Sequence, residues 1–146
     1  MMKVAMLVLS VLITGAAHAQ QAPSTDAKAR AALLGSHLLT LQWIGSDKLG
    51  SAKVTDEEGT LRLKGEQKKG DDFVTVDGTI TSLDAKTFTF EGTITTRVSH
   101  IAKGQPCERK GKMTFAITGK RKYWRLQQMD NPCEGVTDYV DLYLRK

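Results

Sequence analysis

Val74-Thr75-Val76-Asp77-Gly78-Thr79-Ile80-Thr81 and, beyond a turn at Asp84-Ala85-Lys86, Phe88-Thr89-Phe90-Glu91-Gly92-Thr93-Ile94-Thr95 decide the fold. Apolar and polar residues alternate with period two in both stretches, the signature of half-buried strands. Val74, Val76, Gly78 and Ile80 share one face, and Phe88, Phe90, Gly92 and Ile94 continue it. A hairpin register centred on Ala85 places Gly78 opposite Gly92, so two missing side chains face inward at one spot. Either the sheet coils sharply there or room is left for something bulky. The outward face is a threonine ladder, which suits exposed strands.

The same period runs outward in both directions. Toward the N-terminus, Leu39, Leu41 and Trp43 alternate with Leu38, Thr40 and Gln42 in a first strand that ends at Gly45. Ala52 and Val54 mark a second strand, and Leu61 and Leu63 a third after the turn at residues 56–59. Toward the C-terminus, Met113, Phe115 and Ile117 need the core, as do Trp124 and Leu126. Only an even-numbered loop puts these two sets on one face, and Gly119-Lys120 suits a two-residue type II′ turn. That register pairs Phe115 with Trp124 and Met113 with Leu126. Val140, Leu142 and Leu144 form a last strand. Before the first strand, the Ala-rich run at residues 27–34, stopped by Gly35, reads as one short helix.

Eight short antiparallel strands joined by tight turns predict an all-β, up-and-down barrel, large enough to close around side chains or one small ligand. A two-sheet sandwich is the alternative, but it needs long crossovers that this chain does not offer. The order of a short helix, a tryptophan on the first strand, eight strands and a disulfide resembles the layout of lipocalins and their calycin relatives, barrels that carry small ligands. The likeness is architectural. The lipocalin signature has glycine two residues before the first-strand tryptophan, where this chain has Leu41, so no site residue is carried over.

Residues 1–19 read as a signal peptide: Lys3, an apolar run at residues 4–15, and Ala17-His18-Ala19 as the cleavage site. The run is too short to span a bilayer. The mature chain then has no transmembrane segment and is periplasmic or secreted, with a polar tail and helix at 20–36 and the barrel at 37–146. Cleavage removes Lys3 and leaves 20 cations against 16 carboxylates, a formal charge of +4. Export also explains the cysteines, since an even count in an oxidising compartment reads as a disulfide. The hairpin register sets Cys107 opposite Pro132, which cannot donate to a ladder, so a break or bulge around Asn131 is expected, and one extra residue brings Cys133 into place.

Chemistry is sparse. His37 and His100 lie in no metal-ligating or triad pattern, the thiols are joined, and the carboxylate pairs Glu57-Glu58 and Asp71-Asp72 sit in solvated turns. The reading is a non-enzymatic protein with no cofactor and no metal. Basic clusters at Arg109, Lys110, Lys112 and at Lys120, Arg121, Lys122 lie at opposite ends of one hairpin, about 20–25 Å apart at strand rise. They form no single stripe, and nucleic acid is not an expected partner.

Two binding expectations follow. In the first, a small, largely apolar ligand sits in the lumen near Trp43, Gly78, Phe88, Phe90, Gly92 and Trp124. In the second, the core is solid and another envelope or secreted protein is bound, as by an inhibitor, through a surface patch of Tyr123, Arg125, Tyr139, Asp141 and Tyr143. If the last strand neighbours the hairpin, Arg125 pairs with Asp141 between tyrosine rings. Beneath the N-terminal helix, the same pair would be an outer-face salt bridge.

Overall fold

A computed structural model describes residue 15 and residues 25–144. Apart from Gly15, the expected signal peptide lies outside the described residues, as does most of the polar tail. Helix α1 (Thr25–Leu33) is followed by β1 (Gly35–Leu41), β2 (Gly50–Glu57), β3 (Thr60–Lys69), β4 (Asp72–Leu83), β5 (Thr87–Arg97), β6 (Cys107–Ala116), β7 (Tyr123–Leu126) and β8 (Val140–Tyr143). Each strand pairs antiparallel with its sequence neighbour, and β8 returns to β1, closing the barrel. Closure leaves no free edge at the first and last strands.

Period-two patterning decides which residues fill the inside. Leu39, Leu41, Ala52, Val54, Leu61, Leu63, Val74, Val76, Ile80, Phe88, Phe90 and Ile94 point inward and are buried. Gly78 stands directly opposite Gly92, as the register centred on Ala85 requires, and Gly92 in turn stands opposite Gly111 of β6. That third glycine extends the pair into a row across three strands. One irregularity interrupts β4–β5, between Ile80 and Ser82, where a bulge shifts the register by one residue on the way to the turn.

Both ends of the barrel are stoppered. At the end where β1 starts, α1 inserts Leu33 into the core, and Gly35 (φ 103°) ends the helix and turns the chain into the sheet. The Arg30 guanidinium holds the helix to the β2–β3 turn through Asp56 and the Gly59 carbonyl. At the opposite end, Ile44, Val98 and Ile101 close over the core from the loops. There Gln67, fully buried, accepts from the Leu41 amide and donates to the carbonyls of Gly45 and Lys48. Gly50 gives Gln67 its room, since a Cβ there would lie 2.5 Å from that of Gln67.

The β6–β7 hairpin departs from the expected register. Phe115 pairs with Leu126 and Ala116 with Arg125, two residues away from the tight-turn arrangement, so the loop comprises residues 117–122. Neighbouring strands claim both loop ends. The Ile117 amide donates to the Lys86 carbonyl, and the Leu144 amide to that of Lys122. A shift of two preserves facing, so Phe115, Trp124 and Leu126 still point inward.

Beyond these two rungs and one further backbone bond, from the Gln127 amide to the Thr114 carbonyl, β6 has no ladder partner on that side among the described residues. Residues 127–139 run as an irregular segment with one bridge, Asp130 to Thr137. Side chains staple the seam instead: Gln128 Oε1 accepts from the Thr114 amide, Arg109 reaches the carbonyls of Gln128, Met129 and Asp130, and Cys107 is bonded to Cys133 with a Cα–Cα distance of 6.1 Å. The disulfide is thus the expected one. Of the expected break or bulge around Asn131, the structure has the break, a detached segment in which Asn131 Oδ1 accepts from the amides of Cys133 and Glu134.

Candidate functional site

The lumen residues come together as packed core. Phe88 stacks on Phe115 at 4.8 Å between ring centroids, and Trp124 meets Phe88 edge-on at 5.8 Å. A Cβ on Gly78 would lie 2.7 Å from the Phe90 ring, and one on Gly92 would lie 2.8 Å from it. The volume that the glycine pair opens is therefore occupied by Phe90 itself. Trp43 lies elsewhere. β1 ends at Leu41, and a turn carries the indole outside the strand, half-buried, where Nε1 donates to Asp138 Oδ1 at 2.9 Å and the ring meets His100 edge-on.

Asp138 belongs to a buried ion pair that sequence reasoning missed. The sequence groups Arg109 with Lys110 and Lys112 as a basic cluster, but residue 109 shares the inward face of β6 with Cys107, Met113 and Phe115. Its guanidinium lies 2.9 Å from Asp138 Oδ2, with side-chain exposures of 6% and 1%. Asn131 donates to the same carboxylate oxygen, while Arg109 Nη1 has no hydrogen-bond partner among the described residues. The alternation that placed Met113 and Phe115 inward was the available signal. Asp138, in an unpatterned segment, offered none.

The second group of residues converges on the outer wall. Arg125 and Asp141 are directly opposed on β7 and β8. Their side chains form a bidentate pair, Nε and Nη2 each 2.8 Å from a carboxylate oxygen. The guanidinium carbon lies 4.0 Å from the Tyr139 ring centroid and 5.1 Å from that of Tyr123, so the cation is sandwiched between two aromatic faces. Tyr123 packs against Tyr143, its cross-strand neighbour, at 5.2 Å. The hydrogen bond from Arg125 to Asp141 is the main reason the guanidinium holds its proton more tightly than usual, against an opposing desolvation cost. The pair is an outer-face salt bridge, and the helix is tied through Arg30 to the β2–β3 turn.

The patch continues across β1. Leu38 is paired with Ser51, and continuing the β1–β8 register puts it beside Tyr143. Leu38, Tyr143, Leu144 and Lys122, with Ser36, His37 and Ser51, line a groove of about 620 Å³. Among the described residues, the large apolar side chains left exposed are Leu38, Leu49 and Tyr139; Leu38 lines this groove, Tyr139 flanks Arg125, and Leu49 stands apart in the β1–β2 loop. Leu38 is the residue sequence reasoning missed here, and an exposed leucine on an outward position of β1 is its only trace.

Fold and site together define a small, disulfide-stapled antiparallel barrel with a filled interior and one apolar, tyrosine-rich stretch of outer wall. A model of the PM1083 family matches residues 21–144. An uncharacterized protein of Pasteurella multocida (strain Pm70) is 44% identical over 121 residues, covering 83% of this chain and 79% of that one. The chain belongs to the PM1083 family. No solved structure matches it.

Proposed function

We propose that this chain is an exported, non-catalytic binding module that docks another envelope or secreted protein through the outer wall of β7, β8 and β1. The carrying observation is the Arg125–Asp141 pair clamped between Tyr139 and Tyr123, beside an apolar groove in which Leu38 stays exposed. Aromatic rings and arginine are what protein interfaces favour, and a preorganised guanidinium costs little further ordering on binding. The disulfide and the Ala17-His18-Ala19 sequence support export.

The small-ligand reading asks for free volume beside Gly78 and Gly92, where the Phe90 ring stands, so the weight moves to the wall. Capture from a periplasmic extract on immobilised mature protein tests the proposal. A specific partner protein is expected, retained by the wild type and lost with Tyr139→Ala, which trims an exposed ring. Native mass spectrometry that instead finds a small apolar molecule on protein from its own host would restore the lumen reading.

A further inference from the structure

We infer that the partner presents an acidic segment with an apolar anchor side chain, and that the Leu38–Tyr143–Leu144 groove receives the anchor. This inference rests on the docking role proposed above and names its chemistry. The groove is concave and apolar, which suits an inserted side chain and not a flat bilayer surface.

Its rim is cationic. Lys122 lines it, and Arg121, stacked over Tyr123 at 5.8 Å, adjoins it. Past Ser36 and Ser51, a second groove continues over β2–β4, where Lys53 and Lys64 stand directly opposite each other. Like charges so placed repel unless an anion lies between them. Lys53, Lys64, Arg121 and Lys122 enter no ion pair among the described residues. The nearby Asp77 is engaged by Arg62, and Glu66 is the carboxylate left on this side. Arg125, by contrast, is already neutralised by Asp141. Unpaired cations around an apolar groove complement carboxylates around an apolar side chain. The same cations disfavour a second copy of this chain, whose mature form carries the net positive charge of 20 cations against 16 carboxylates.

The test is selection of a displayed random peptide library on the folded, disulfide-intact protein. Enriched peptides should carry Asp or Glu flanking Leu, Ile or Phe. Their binding should fall at least about tenfold with Leu38→Asp and with Lys122→Glu, and weaken as salt rises. Both substitutions are at exposed positions, and an unchanged melting temperature shows that the fold is kept. Enriched peptides that are neutral or basic but still lost with Leu38→Asp would overturn the acidic partner and leave the docking wall standing. Peptides indifferent to Leu38→Asp, no enrichment, preferential binding to anionic phosphatidylglycerol vesicles, or self-association through Leu38 would overturn the inference and the docking role together.

Discussion

At Gly78 the chain tolerates almost nothing else. A Cβ there would meet the Glu91 carbonyl oxygen at 2.4 Å as well as the Phe90 ring. Gly78→Ala is expected to destabilise the barrel by about 1–3 kcal/mol, because neither a ladder carbonyl nor a ring packed in the core yields cheaply. Urea unfolding measures this, and an unchanged midpoint would mean that Phe90 does not hold the position described. Asp138 is the other residue on which much depends. Asp138→Ala strands Arg109 as a buried, uncompensated cation and should cost about 3–5 kcal/mol, whereas Arg109→Met with Asp138→Leu should recover most of the loss. A double variant no better than the single one would contradict this. Residues were legible in the sequence where strand alternation held on both sides of a pair. Gly78 with Gly92 and Arg125 with Asp141 could be read in advance, but Asp138 could not, because no period governs its segment.

Among elements, α1 is held by chemistry that acid should release. The hydrogen bond from Arg30, followed by that from the Gly59 amide, keeps the Asp56 carboxyl below its ordinary range. A carboxylate depressed in the folded state stabilises the fold above its unfolded value, and that contribution disappears as pH falls through the lower folded value. Amide exchange in α1 should therefore quicken on acidification below the ordinary aspartate range, and Asp56→Asn should already show the quick rate at neutral pH. Equal rates in the variant and wild type would contradict the clasp. The irregular segment at 127–139 depends on a covalent staple. Cys107→Ser with Cys133→Ser should cost about 3–4 kcal/mol in the chain-entropy model for a loop of this length. The first amides to lose exchange protection should be those around Asn131. Periodicity made the facing of β6 and β7 legible but not their register. A shift of two leaves every side chain on its expected face, and the choice fell to hydrogen bonds from Ile117 to the β4–β5 turn and from Leu144 to Lys122. Trp43 misled for a related reason: alternation in the sequence continues for two residues past Leu41, where the strand ends.

For the molecule as a whole, consecutive hairpins with short loops were enough to predict a closed barrel, because each strand has its partner beside it in sequence. What fills the two ends was not legible. Leu33, Ile44, Val98 and Ile101 arrive from a helix and loops, where burial leaves no periodic mark. Those stoppers, with Phe90 over the glycine row, leave the outer wall as the surface on which recognition is proposed to act. Site-specific photocrosslinking in cells of its own host tests that claim most directly. A benzophenone amino acid is placed at Leu38 in one variant and at Glu91, exposed on β5, in another. An adduct with one protein at position 38 and none at 91 is the predicted result. No protein adduct at 38, or the same adduct at both positions, would contradict it.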